Sequence, residues 1–469
     1  MRKTPIVLLC AALAAVLDAA DWNAFRGPNG SGIPADDRGP TEAQLKAGPL
    51  WKVPVPAGLS TPILIRNRVF LTAWESDTRM VIALDAATGK TAWKAALPKV
   101  REEFAMKENG HATPSMASDG SNVFAVFHDV GLLSFTFEGK ERWRVPLGPF
   151  HSPYGIASSL AVADGLVFLY TDMQDESLLR AYDTATGKLR WTAKQDTQTG
   201  GGYSTPVFYQ PASGPKQVIV FGSKETVGYQ AGTGERIWWA RGLTAQAAAS
   251  PIVHGNMLFV TSAKEPPIPW SVVAEFDLKK EGRIAIASMD TSKPVNKAWQ
   301  SLFVSLDKSK GNGDGVLSKD EFDLGARELA AGGGLIALPL TGSGDVSKNA
   351  KWQYTKATPY MASPLLYRGV LYTVKGGGIV SAFNPADGTL HKQARLTGAL
   401  GEYWASPVAA NGLVFFVSNE GKISVVRSGA QWEPLATVDL GEPVFATPAL
   451  AGARLYVRSE GQLYCFGPK

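Results

Sequence analysis

Ala83-Leu84-Asp85-Ala86-Ala87-Thr88-Gly89-Lys90-Thr91-Ala92-Trp93 recurs as Ala181-Tyr182-Asp183-Thr184-Ala185-Thr186-Gly187-Lys188-Leu189-Arg190-Trp191. Weaker copies run from Gly139 to Trp143 and from Gly234 to Trp238. A further copy, through Asn384, Gly388 and Lys392, keeps the turn and loses the Trp. An internal repeat of this kind makes the chain an array of one small unit. Each copy lies between apolar alternating runs, such as 80–84 and 91–95, the pattern of antiparallel strands joined by a tight turn. The Asp carboxylate can accept backbone N–H groups across that turn, and Gly supplies the positive φ of its corner. The Trp follows on the next strand, where a large flat ring buries apolar area between neighbouring sheets. Its expected role is packing rather than stacking on a cofactor.

A second marker runs in step with the first. A Ser/Thr-Pro or Ser-Ser pair opens each apolar strand: Thr61-Pro62, Thr113-Pro114, Ser158-Ser159, Thr205-Pro206, Ser250-Pro251, Ser363-Pro364, Ser406-Pro407 and Thr447-Pro448. Successive second residues are 52, 45, 47, 45, 113, 43 and 41 apart. All but one spacing suit a four-stranded propeller blade, and eight markers imply eight blades. The spacing of 113 is one blade of roughly 45 residues plus about 68 more. The last unit holds only three strands, at 449–450, 454–458 and 462–466, and the missing fourth is available at 50–55. Pairing the two ends would remove the open sheet edges of a linear array. The expected fold is therefore all-β. It is an eight-bladed β-propeller of four-stranded antiparallel blades, closed by an N-terminal strand, with a small α-helical insertion in blade five.

Composition agrees: 45% apolar, 49 Gly and only 19% charged residues suit short strands and many turns. The net charge is +5 over 469 residues and the basic residues are scattered, which makes no nucleic-acid footprint. Residues 1–20 read as a secretory signal peptide: Met1-Arg2-Lys3, an apolar run from Ile6 to Leu17, then small residues up to Ala20. That run is too short for a bilayer span of about 20 residues. The expected mature chain, 21–469, is exported, periplasmic or secreted, and monomeric. It keeps one cysteine, Cys465, so no internal disulfide holds it.

The insertion, 264–333, has a different texture. Apolar residues recur at helical spacing at 295–306 and 319–330. Between the helices, Asn312, Asp314, Gly315, Val316, Leu317, Ser318 and Glu321 fall on the positions of an EF-hand-like calcium loop. Position one is Lys310, and the nearest acid, Asp307, comes three residues early. Either the loop is expanded and Asp307 bends in, or the first ligand is missing. The expected metal set is Asp307, Asn312, Asp314, Val316, Ser318 and Glu321, with calcium as the ion. A worn partner loop starts at Asp277, with Glu281, Gly282 and Ile284 in place but Lys279 and Ser288 at ligand positions.

The Asp-x-x-Thr-Gly-Lys-x-x-Trp repeats resemble the pyrroloquinoline-quinone-like propeller superfamily. This superfamily holds the quinoprotein alcohol dehydrogenases and non-catalytic relatives such as the lipoprotein of the outer-membrane assembly machine. The chain is most similar to exported bacterial proteins with PQQ-binding-like β-propeller repeats. That likeness rests on the run Asp21 to Gly30, on His111-Ala112-Thr113-Pro114, on Gly344 to Lys348 and on Leu463 to Gly467. A dehydrogenase of this family implies a quinone stacked between a Trp and a Cys–Cys disulfide, calcium held by Glu and Asn, and an Asp base. The chain has no Cys–Cys pair and no haem-attachment Cys-x-x-Cys-His, and no such Glu/Asn/Asp set can be placed by motif. PQQ is therefore not expected. Hydrolase motifs, Gly-x-Ser-x-Gly and His-Glu-x-x-His, are also missing.

What remains is a surface. The segments before the blade-opening strands gather at one face of the channel and carry Asn109, His111, His151, Tyr154, Tyr203, Tyr360, Glu402, Tyr403 and Trp404. These residues either hold a protein or small-molecule ligand or simply plug the channel. The sequence thus points to an exported, non-catalytic binding or assembly scaffold; the alternative is a PQQ-dependent alcohol or sugar dehydrogenase.

Overall fold

The computed structural model describes residues 21–469 apart from 103–108, 151, 153, 174–175, 197–200, 245, 264–266 and 331. The signal-peptide reading of 1–20 falls outside the described residues. Eight blades surround one axis. In blade one, strands Ile63–Ile65, Arg68–Glu75, Thr78–Asp85 and Thr91–Pro98 pair antiparallel from the axis outward. Seven blades have four strands. Blade four adds a fifth, Gly344–Asp345, which pairs parallel with Trp238 and Trp239 at its outer edge. Blade eight closes the ring as expected: Trp51–Pro54 is its outer strand, with Trp51 opposite Cys465 and Pro54 opposite Gln462.

The core is not one mass but a series of clusters, each shared by neighbouring blades. Ile63, Phe70 and Val81 of blade one, for example, bury against Val123, Ala125 and Phe135 of blade two. The repeated phrase builds these joints. In its turn, Asp85 Oδ1 accepts the N–H groups of Ala87 (3.1 Å) and Thr88 (2.9 Å), and Asp183 does the same for Ala185 and Thr186. The corner Gly residues sit at φ +72° in both copies. Each Trp then lies on the corner Gly of the next blade. A Cβ on Gly139 would stand 2.6 Å from the Trp93 ring, and one on Gly187 would stand 2.8 Å from Trp143. The indole N–H groups finish the joint by donating to turn carbonyls: Trp93 to Phe137 (2.6 Å), Trp143 to Thr184 (3.1 Å), Trp191 to Ala231 (3.1 Å) and Trp352 to Pro385 (3.0 Å). In blade six, Lys392 replaces the Trp and still makes the bond, its ammonium donating to the Trp432 carbonyl at 2.6 Å. Trp238 departs from the scheme. It turns onto Gly228 of its own blade and donates to Gln217 (2.8 Å).

The insertion interrupts blade five between strands Met257–Ser262 and Gly334–Pro339, which stay in register with Ser262 opposite Gly334. It is a helix–loop–helix unit with helices Pro294–Lys310 and Lys319–Ala330. Its core of Val273, Ile284, Phe303, Leu317 and Phe322 is separate from the blade clusters. The two loops meet in a short sheet, with Ile284 opposite Leu317.

The segment 21–41 runs across the other end of the channel. Trp22 bridges to Leu64, the Asn23 carbonyl accepts from Ser118, and Asn29 pairs with the Phe208 backbone. Gly32 accepts from Ala409, and Arg26 Nη2 donates to the Pro364 carbonyl at 2.7 Å. The residues read in the sequence only as a family resemblance thus form a cap that ties blades on both sides of the axis.

Candidate functional site

The blade-opening marker builds the wall of an axial cavity. The backbone N–H of Thr61 donates to the Ser115 hydroxyl at 2.9 Å, and Ser115 N–H donates to Ser159 in turn. The relay continues through Thr205, Ser250, Ser363, Ser406 and Thr447, with bonds of 2.8–3.2 Å. Eight buried hydroxyls thus stand around the axis, and seven of them couple consecutive blades by accepting a neighbour's backbone N–H. In blade two the ring residue is Ser115 rather than the Thr of the Thr113-Pro114 pair. Thr113 lies two residues early, and its hydroxyl donates to the Asn109 carbonyl. Pro114 had aligned the marker with the Ser/Thr-Pro pairs elsewhere.

A second ring lies on the same wall, formed by the residues two positions before each hydroxyl: Leu59, Thr113, Ala157, Tyr203, Ala248, Met361, Trp404 and Phe445. Alternate residues of an extended segment share a side, so the two rings stack along the axis. Together with Phe25 from the cap and Asn109, Tyr154 and Tyr360, they enclose a cavity of about 330 Å³. The second ring is lopsided. Met361, Trp404, Phe445 and Leu59 make a continuous apolar arc, while Thr113 and Ala157 leave room opposite. Trp404 packs on Phe445 with centroids 5.0 Å apart, and Tyr154 meets Tyr203 edge-on at 5.5 Å. Burial, with nearby Tyr154 and Tyr360, pushes the Tyr203 phenol well above its usual range, so it stays neutral. Among the described residues, none that lines the cavity carries a carboxylate, imidazole, amine, guanidinium or thiol.

The expected channel-face residues divide. Asn109, Tyr154, Tyr203, Tyr360 and Trp404 line the cavity. His151 lies outside the described residues. Glu402 is exposed and does not line it. Tyr403 points the other way, into the core between blades six and seven, with its hydroxyl donating to the Ala399 carbonyl at 2.7 Å. The alternation that brings Trp404 inward sends its neighbours out. His111 also leaves the cavity wall. It packs edge-on against Trp74 and places Nδ1 3.2 Å from His128 Nε2. Burial lowers the pKa of both imidazoles, that of His128 to about 4. The reading missed Leu59, Met361, Phe445 and Phe25. The first three were legible in principle, as the residue two before each Ser/Thr marker; Phe25 carries no such signal.

In the insertion, Asp307 does bend into the loop. It accepts from Gly313 (3.0 Å) and Gly315 (2.9 Å), one N–H on each carboxylate oxygen. Glu321 accepts from Ser318 N–H at 2.8 Å. Asn312 and Asp314 bond each other, and Asp314 also accepts from Val316 N–H. Among the described residues, the carboxylates of Asp307, Asp314 and Glu321 do not bring oxygens within 4.8 Å of one another.

No described helix is long and apolar enough to cross a membrane. No sequence among curated proteins matches the chain. Among solved structures, it is similar to BamB from Moraxella catarrhalis (13% identity, TM-score 0.56, covering 90% of this chain and 97% of that one). It is also similar to the quinohemoprotein alcohol dehydrogenase from Comamonas testosteroni (12%, 0.61, 96% and 80%). A europium-containing methanol dehydrogenase gives 10% identity and a TM-score of 0.62, covering 96% and 98%. At such identities the likeness carries the propeller fold and not the chemistry. A family profile described as outer membrane protein assembly factor BamB matches residues 77–277 and again 175–469. The chain therefore belongs to this BamB-like family of PQQ-repeat propellers.

Proposed function

We propose that the chain is an exported, non-catalytic propeller that holds a small uncharged ligand or the tip of a partner in its axial cavity. The observation that carries this reading is the lining: aromatic and hydroxyl groups, with no general base, nucleophile–base pair or fixed charge among the described residues. Seven of the eight ring hydroxyls each accept a backbone N–H, and among the described residues no acceptor takes their own O–H groups, so these donors remain for a ligand. The apolar arc supplies contact area, and the cavity lies at the lower end of the range for small-molecule sites, about 300–1,000 Å³.

The same lining argues against the quinone of the dehydrogenase relatives. Pyrroloquinoline quinone is an anionic polycarboxylate, and among the described residues no cationic side chain lines the cavity to meet it, nor any carboxylate to hold its calcium. Export rests on the residue pattern of 1–20 and on the family, whose described member works in outer-membrane assembly.

The reading is tested by native mass spectrometry of the protein isolated from the extracytoplasmic fraction. A retained small molecule or peptide should be lost in Trp404→Ala and Tyr154→Ala while the folding transition persists. Retention of the same adduct by both variants would show that the cavity is not its seat.

A further inference from the structure

The cavity leaves one group of side chains unused. His111, His128 and Asp129 each bring a ligand-type atom to within 4.8 Å of the others, the one such group of three among the described residues. We propose that these residues form a binding site for a single borderline first-row dication, with Zn2+ as its probe. The ion would clamp the link between blades one and two to the turn at the head of blade two.

The geometry favours an ion over a simple imidazole pair in three ways. First, His111 Nδ1 and His128 Nε2 stand 3.2 Å apart. With Zn–N bonds of about 2.0–2.1 Å, adjacent ligands of a tetrahedral ion lie about 3.3 Å apart, so the pair already spans an edge of the polyhedron. Second, the carboxylate is oriented from behind. Buried Arg79 gives Asp129 Oδ2 two bonds, 2.9 Å from Nε and 2.5 Å from Nη2, but reaches Oδ1 only at 3.2 Å. Oδ1, with the one longer bond, is the less engaged oxygen of the two. A guanidinium that fixes a carboxylate in this way is the outer-shell support expected behind a metal ligand. Third, the surrounding charges balance. Arg79, Lys99 and Arg101 are matched by Asp77, Glu102 and Asp129, with Lys99 bonded to Asp77 at 2.8 Å and to Glu102.

The donor set decides the class of ion. Two imidazole nitrogens and one carboxylate oxygen suit Zn2+, Co2+, Ni2+ or Cu2+, whereas Ca2+ and Mg2+ need six or more oxygens. His128 is almost fully buried and fixed, while His111 is partly exposed and closes the site from solvent. Asn109 and Thr113, on the same link as His111, line the cavity. An ion here would therefore stiffen one side of the cavity mouth.

The full chain, stripped with chelator, is titrated with Zn2+ by calorimetry and with Co2+ by visible absorption. We expect one ion per chain and Co2+ bands of a nitrogen–oxygen site. His111→Ala should weaken Zn2+ binding at least tenfold, whereas Glu321→Gln in the insertion should leave it unchanged. His128→Ala removes a buried ring, so His111→Ala, at the partly exposed position, is the deciding variant. No Zn2+ heat at micromolar concentrations, or equal affinity in His111→Ala, would overturn the proposal.

Discussion

At the scale of single residues, the joint between blades is a Trp lying on a glycine. Gly139 holds φ +90° and has no room for a side chain under Trp93. Gly139→Ala should cost about 1–3 kcal/mol from overpacking alone, read as a lower midpoint in urea denaturation. The Asp of the phrase contributes in a pH-dependent way. The Thr186 hydroxyl, then the backbone N–H groups of Thr186 and Ala185, hold the Asp183 carboxyl below its usual pKa. Its folded-state pKa is depressed, so its contribution is present above the unfolded value near 3.8 and is lost as pH falls through the folded one. Asp183→Asn should flatten the acid limb of the stability–pH profile relative to wild type, with little change in its shape above pH 6. An unchanged acid limb would show that the turn bonds do not depend on the charge.

At the scale of elements, the blades and the insertion behave as separate units. The insertion has its own core, and Ser262 already faces Gly334 across the strands it interrupts. Replacing 263–333 with a short hairpin turn should therefore leave the propeller's melting temperature within about 3 °C of wild type. A collapse of the transition would mean that the insertion is needed to form blade five. The closing strand is different. Deleting Trp51–Pro54 bares the edge Gln462–Phe466 and should yield oligomers by light scattering. These elements were legible because their signals are local: turn residues, alternation and helical spacing. The closure was legible because the last unit counts one strand short. The cap formed by 21–41 was not, since its partners are scattered along the chain from Leu64 to Ala409 and its own segment has little periodicity. The pairings of Arg79 with Asp129 and of His111 with His128, 50 and 17 residues apart, were hidden because they join a strand and a link to a turn of the next blade and leave no local pattern.

At the scale of the whole molecule, eight copies of one unit place eight hydroxyls and eight variable residues around one axis. The unit sets the frame; the residue two before each marker sets the cavity. That is why Trp404 and Tyr203 were found by type and Leu59, Met361 and Phe445 were not: their aliphatic or plain aromatic character says packing until the eightfold geometry turns them inward. It is also why Glu402 and Tyr403, chosen beside Trp404, fall outside. The described residues of the cavity wall carry no charge and no base, the chemistry of a site that binds without catalysing. The most direct test is to incubate the purified chain with pyrroloquinoline quinone and Ca2+, remove free cofactor by gel filtration, and assay dye reduction with alcohols and sugars. No cofactor absorbance should be retained and no substrate-dependent reduction should follow. A stoichiometric cofactor band with dye-linked turnover would contradict binding without catalysis.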